Sequence, residues 1–132
     1  MTKRKKERQR ISSGSAFEDK IGFTRAVRVG DRVLVSGTAP IWPDGSVNLE
    51  PKMQARRCLE IIAEALGEAG AELEHVVRTR MYITDAEWAD SVGAVHAEFF
   101  GEHRPASTMV VVGALLDKSW KVEIEAEAVI DG

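Results

Sequence analysis

Val122-Glu123-Ile124-Glu125-Ala126-Glu127-Ala128-Val129 alternates apolar and acidic residues without a break. Side chains of an extended strand point alternately to opposite faces, so Val122, Ile124, Ala126 and Ala128 share one face and Glu123, Glu125 and Glu127 the other. The first face is made for a core. The second carries three carboxylates that repel one another and cannot all leave water without partners. Such a strand belongs to a sheet covered on one side, and the preceding elements must supply the cover.

Working outward, Val27-Arg28-Val29 and Val33-Leu34-Val35 flank Gly30-Asp31, the pattern of a β-hairpin with a primed two-residue turn. Ser36-Gly37 ends the second strand, and Pro40, Pro43, Asp44 and Gly45 mark a loop. A helix opens at Pro51 and closes at Gly70. Its stripe of Ala55, Leu59, Ile62, Leu66 and Ala69 steps by 4, 3, 4 and 3, with Cys58 packing beside it. Val76 to Ile83 is β-branched and aromatic, hence a strand. Thr84 and Glu87 suggest a capping box for a second helix that buries Trp88, Val92, Val95 and Phe99 and stops at Gly101. Thr108 to Val112 is apolar throughout and reads as a central strand buried on both faces. The order ββαβαββ predicts an α+β sheet with two helices on one face. The uncovered face, and so apolar a run as Thr108–Val112, imply self-association.

The chain has 132 residues, 44% hydrophobic and 30% charged, the size and balance of a single globular domain. One cysteine excludes an internal disulfide framework. No apolar run is long enough for a membrane span, and no apolar stretch follows the basic start as in a secretory leader, so a cytoplasmic location is expected. Residues 1–10 hold six of the 18 basic residues and one of the 21 acids, leaving 12 basic against 20 acidic residues beyond. Residues 1–15 are therefore expected to form a basic, disordered tail, and 16–132 the domain. The acidic body argues against nucleic acid as a partner.

His75, His96 and His103 lack metal-ligand spacing, and there is no phosphate-binding loop, nucleophile elbow or dinucleotide fingerprint; neither metal nor cofactor is expected. His96 reads as a helix-surface or interface histidine. Two features stay open between structure and chemistry. Gly37 either permits a turn or lines a site. The glutamate face is either solvated or directs one carboxylate into a cleft, where its pKa can be set for proton transfer.

Gly22-Phe23-Thr24-Arg25-Ala26-Val27, Val35-Ser36-Gly37-Thr38, Gln54-Ala55, Ala69-Gly70, Arg104-Pro105-Ala106 and Val122-Glu123-Ile124-Glu125-Ala126 follow one another as in the RidA/YjgF family, also called L-PSP or reactive intermediate deaminases. The resemblance covers about residues 20–130. It implies a chorismate-mutase-like fold, a homotrimer whose sheets line a central barrel, and small-molecule pockets in the clefts between subunits. Well-studied members hydrolyse enamines and imines, such as 2-aminoacrylate, to 2-keto acids and ammonia. The resemblance makes Glu123 the residue that orients or activates water, and gives Phe23, Ser36, Gly37, Gly93, Ser107, Thr108 and Met109 to the ligand.

Three positions depart from that pattern. Ser107 stands where an arginine clamps the substrate carboxylate, Phe23 where an aromatic hydroxyl stands, and Gly93 where a helix asparagine stands. Losing a charge-assisted bidentate contact costs on the order of 2–5 kcal/mol when its partner charge stays desolvated. Arg25, Arg80 and Arg104 are candidates to replace the clamp. The chain is accordingly read as an arginine-lacking branch, a hydrolase of imines, enamines or amides. The alternatives are a non-catalytic metabolite-binding module and, with only the basic tail behind it, an endoribonuclease.

Overall fold

The computed structural model describes residues 7–131. Six strands form one sheet, in chain order β1 (Arg8–Ile11), β2 (Ala26–Val29), β3 (Arg32–Thr38), β4 (Val76–Ile83), β5 (Ala106–Val111) and β6 (Val122–Val129). Three helices accompany them: α1 (Ala16–Ile21), α2 (Pro51–Glu68) and α3 (Ala89–Phe100). Across the sheet the order is β1-β2-β3-β6-β4-β5. The last strand thus sits in the middle, antiparallel to both β3 and β4.

The alternation in β6 does what its chemistry requires. Val122, Ile124, Ala126 and Ala128 are buried against α2 and its surroundings, and the three glutamates lie on the helix-free face. Ala55, Leu59, Ile62, Leu66 and Ala69 are all buried, as is Cys58, whose thiol burial pushes up. That thiol is a packing group, not a nucleophile. Pro51 occupies the start of α2. At its far end Gly70 takes φ +84°, and a Cβ there would come within 2.7 Å of the Arg28 guanidinium. Arg28 Nη1 donates to Ala69 O at 2.7 Å, closing the helix with a cation at its negative end.

Gln54 is fully buried and fully used. Its Nε2 donates to Asn48 O at 2.7 Å and Ser119 O at 2.8 Å, and its Oε1 accepts from Lys121 N at 2.7 Å. The side chain ties the loop before α2 to the approach to β6. Among the described residues no helix is long and apolar enough to cross a membrane.

The α+β architecture with two long helices on one face stands, with β1 and α1 added at the front. Three expectations need correction. Arg8–Ile11 is not part of a disordered tail but pairs antiparallel with β2, and Ile11 joins the core. Its polar composition hides a strand whose stability lies in backbone pairing and in the Thr24 hydroxyl donating to Ile11 O at 2.7 Å. The rest of the expected tail up to residue 6 lies outside the described residues. Secondly, the Thr108–Val112 run is not central: β5 pairs in parallel with β4 alone and ends the sheet, with Val110 and Val111 exposed. The crossover through α3 places it there, and among the described residues nothing pairs with its outer edge. Thirdly, Asp85 rather than Thr84 caps the turn before α3, accepting from Glu87 N.

Glu18 of α1 anchors the new front segment. It accepts from Ser12 Oγ, Ser13 N and Ser13 Oγ and lies beside Arg25. Burial alone would raise its pKa, but the Ser13 and Ser12 hydrogen bonds and Arg25 outweigh that and hold it below its ordinary 4.5. A depressed carboxylate stabilises the fold above the unfolded-state pKa and loses that contribution as pH falls through the folded-state value. Protection of the Arg8–Ile11 amides from exchange should therefore fall between pH 5 and pH 3 more than protection in β6, and Glu18→Gln should lower it likewise at pH 7.

Candidate functional site

Two clusters of polar groups lie on opposite faces of the sheet. The first surrounds Glu123. The β3–β6 register shifts between Val35 and Thr38, so Ser36-Gly37 bulges. The bulge places Gly37 under the Glu123 carboxylate, and a Cβ at Gly37 would collide with Glu123 Oε1. Glycine lets the carboxylate sit here by close approach rather than through a left-handed backbone, and a larger residue would make the Glu123 side chain move.

Arg25 fastens the bulge from below. Only 5% exposed, it donates from Nη1 to Gly37 O at 2.6 Å and to Thr38 Oγ1 at 3.0 Å. Its guanidinium lies 5.4 Å from the Phe23 ring centre, and its Nε is buried without a hydrogen-bond partner, 4.0 Å from Glu18. Burial lowers the Arg25 pKa while Glu18 and Glu123 oppose the change, so the guanidinium stays charged. Glu123 feels the same burial in the other sense: its pKa is raised, with Arg25 opposing and Glu125 adding to the rise.

The other two carboxylates of the face are committed elsewhere. Glu125 accepts from the Tyr82 hydroxyl and lies 3.6 Å from Arg80, and Glu127 lies 3.7 Å from Arg32 and 3.8 Å from Arg80. Glu123 alone has no ion pair within 4.0 Å among the described residues. Further along the open face, a concavity of ≈ 500 Å³ that Glu123 does not line is bounded by Leu34, Ser36, Arg78, Arg80 and Glu125 among others.

The second cluster lies at the β5 edge on the helix side. Ser107 is opposite Thr79 in the parallel β4–β5 register, and Thr79 Oγ1 lies 2.8 Å from both Ser107 Oγ and His96 Nε2. Met109 follows on the same face, its Cε 4.0 Å from where a Gly93 side chain would begin.

Of the sequence-predicted residues, the structure brings Phe23, Gly37 and Glu123 together around Arg25. Gly93, Ser107 and Met109 gather at the other face. Thr108, opposite Arg80, lies on the open face away from Ser107 and Met109, and the Ser36 hydroxyl is used locally, donating to Thr24 O at 2.7 Å. Within one chain Glu123 and Ser107 do not meet. The candidate replacement arginines are also placed: Arg25 faces inward onto the bulge, Arg80 is engaged by Glu125 and Glu127, and Arg104 donates to Gly101 O from an exposed turn with φ 52°. Sequence reasoning missed Thr79 and the inward role of Arg25. Thr79 carried a signal, since it is a hydroxyl at a core-facing position of β4. Among the described residues no three His, Cys, Asp or Glu side chains cluster as metal ligands would.

A one-sided antiparallel-centred sheet backed by two helices, with a carboxylate over a glycine bulge on its open face, defines a chorismate-mutase-like α+β protein. The family model described as Endoribonuclease L-PSP matches residues 13–130. The crystal structure of Rv2704 from Mycobacterium tuberculosis, described as a member of the YjgF/YER057c/UK114 family, superposes with a TM-score of 0.87 at 45% identity, over 94% of this chain and all of that one. The 2-iminobutanoate/2-iminopropanoate deaminase of Salmonella typhimurium is 35% identical over 111 residues, 81% of this chain and 86% of that protein. Escherichia coli TdcF, crystallised with bound serine, superposes with a TM-score of 0.80 at 29% identity, over 98% of this chain and all of that one. The chain belongs to the RidA/YjgF family.

A carboxylate whose pKa is raised by burial binds its proton more tightly folded than unfolded, so stability falls as pH rises from the ordinary 4.5 through the folded-state value. Glu123→Gln should remove this fall and raise the Tm at pH 7, measured by calorimetry against the wild-type chain. Gly37→Ala should displace the carboxylate and lower stability by about 1–3 kcal/mol in urea unfolding.

Proposed function

We propose that the chain hydrolyses the C=N bond of small imines, and of enamines after tautomerisation, in clefts formed where copies meet in a homotrimer. The observation that carries this reading is Glu123: a half-buried carboxylate with a raised pKa, free of ion pairs, fixed over a glycine bulge. Such a group takes and returns a proton near neutrality more readily than a solvated one. The relatives named as 2-iminobutanoate/2-iminopropanoate deaminases support the reaction class.

In this reading Glu123 accepts a proton from water as the water oxygen bonds to the imine carbon. The C=N π pair passes to nitrogen, which takes that proton from Glu123 and leaves it a carboxylate again. The carbinolamine then collapses: its hydroxyl proton goes to Glu123, the carbonyl forms, and the C–N bond breaks as Glu123 delivers a proton to the leaving nitrogen. Imine plus water becomes carbonyl plus ammonia, with Glu123 returned to its starting state.

Association follows from two exposures. Leu34 and Val110 lie exposed on the open face, and among the described residues β5 is an edge strand that nothing covers. An edge of that kind is stable in solution when another surface covers it. A neighbour covering it would bring the Ser107 side of one copy against the Glu123 side of the next, completing a site that each chain holds in halves.

Ser107 sets the substrate class. A neutral hydroxyl cannot hold a carboxylate as an arginine fork does, so the cleft favours imines without a free carboxylate. The same residue gives the second reading, a cleft that binds a metabolite and leaves it intact. Cleavage of RNA has less behind it, because His75, His96 and His103 lie on separate elements and supply no paired acid and base.

Light scattering should give three times the 14.5 kDa chain mass. Ammonia release, followed over a panel from 2-iminobutanoate to uncharged imines, should exceed buffer most for the uncharged members. Glu123→Gln should lower it about 100-fold or more. Ser107→Arg should move the preference towards 2-iminobutanoate. Equal turnover by wild type and Glu123→Gln would refute the assignment, and ligand-induced thermal stabilisation without turnover would favour the binding module.

A further inference from the structure

Ser107, Thr79 and His96 form a continuous hydrogen-bond chain from the exposed β5 edge into the layer between sheet and helices. The two links are each 2.8 Å, between Ser107 Oγ and Thr79 Oγ1 and between Thr79 Oγ1 and His96 Nε2. Ser107 is exposed, Thr79 is fully buried, and His96 is half-buried with its ring 4.8 Å from that of Phe100. Resting on the proposed function, which puts Ser107 in the cleft, we propose that Ser107 is a specificity-determining hydroxyl whose donor sense is fixed by His96 through Thr79, selecting ligands that present an uncharged carbonyl oxygen.

A threonine hydroxyl has one proton, so the chain has only two polarities. If His96 accepts at Nε2, Thr79 must donate to it, Ser107 donates to Thr79, and the cleft meets only serine lone pairs. If His96 donates from Nε2, Thr79 accepts there and passes its own proton to Ser107. The Ser107 proton is then free to point into the cleft. Thr79 cannot escape this choice, because it is sealed from water and faces both partners.

The surroundings of His96 select the second polarity. Burial holds the imidazole below its ordinary pKa, so the ring is neutral with one N–H to place. Among the described residues no group accepts from Nδ1, whereas Nε2 has the Thr79 oxygen at 2.8 Å. Thr79 Oγ1 donates its single proton to Ser107 Oγ, which leaves its oxygen to accept from His96 Nε2. Ser107 therefore offers a donor, but a neutral one. A lone neutral hydroxyl suits the oxygen of an amide, ester or ketone better than a carboxylate, whose desolvation it cannot offset. Thr79 and His96 are positioning residues in this scheme, and neither touches the ligand.

The test uses the full chain with 2-oxobutanamide as an unreactive probe and 2-oxobutanoate as its charged counterpart. Nitrogen-15 correlation spectra of wild-type protein should show His96 as the Nε2–H tautomer, with the signal displaced in Thr79→Val. The amide should bind more tightly than the acid. Ser107→Ala and Thr79→Val should each weaken amide binding roughly three- to tenfold, and the double variant no more than either alone. His96→Leu should weaken it likewise and His96→Gln, whose amide nitrogen can still donate, should retain it. An Nδ1–H ring, additive losses in the double variant, tighter binding of the acid, or no binding of the amide by wild-type protein would each overturn the inference. Coupled amide binding without ammonia release from any imine would uphold it and overturn the hydrolase reading alone.

Discussion

The buried guanidinium of Arg25 is the constraint around which the open face is organised. A cation so nearly excluded from water is tolerable only where its charge and donors are answered. Here Glu18 answers part of the charge from α1, and the Gly37 carbonyl and the Thr38 hydroxyl take the Nη1 protons. The Nε proton finds no acceptor within hydrogen-bonding distance. The arginine thereby couples three things that are remote in sequence: the docking of the first helix, the shape of the β3 bulge, and the environment of Glu123. Without the bulge there would be no room for the carboxylate. Without the arginine, the raised pKa of Glu123 would be raised further, since Arg25 is the group that opposes it. The bulge and the carboxylate's titration are thus one design, and a change to either should be felt by both.

The sheet divides this chemistry between two surfaces. β6 lies in the middle with alternating side chains, so its acids must emerge opposite the helices. β5 lies at the edge, where Ser107 turns towards the helix layer through its register with Thr79. No rotamer change can bring side chains from opposite faces of one sheet into a common site. If Glu123 and Ser107 act on one ligand, they must come from different copies, and the uncovered apolar edge beside Ser107 supplies the surface by which copies would meet. Catalysis and assembly would then share a cause, and a chain that failed to associate would hold every residue and no site.

Much of this was legible from residue order. Strict alternation in 122–129 identified a half-covered strand, and the 4-3-4-3 spacing in α2 marked its buried stripe, because both periodicities follow directly from backbone geometry. The three glutamates could not be told apart that way. What distinguishes Glu123 is a bulge on a neighbouring strand and an arginine nearly one hundred positions earlier, both products of the fold. β1 was illegible for a related reason: Arg8-Gln9-Arg10 has a tail's composition, and only pairing with β2 makes it a strand. The apolar run in β5 misled in the opposite way. Hydrophobicity says that a surface is covered, not whether the same chain covers it.

On the proposed reading, a serine in place of a charged clamp changes what recognition depends on. A guanidinium is a donor under all ordinary conditions and carries its own charge, so it needs little support to bind an anion. A serine hydroxyl rotates and both donates and accepts; left alone, it discriminates weakly among ligands. Selectivity from such a group requires that its second hydrogen bond be fixed by something that cannot itself reorient freely. Thr79 meets that condition, being sealed within the layer, and it inherits a direction from a neutral ring whose other nitrogen has no acceptor among the described residues. On that reading, the absence of charge at position 107 would be accompanied by preorganisation behind it. A cleft so equipped would trade affinity for anions against discrimination among neutral carbonyl and imine compounds, a different specificity rather than a weaker version of an arginine-bearing one.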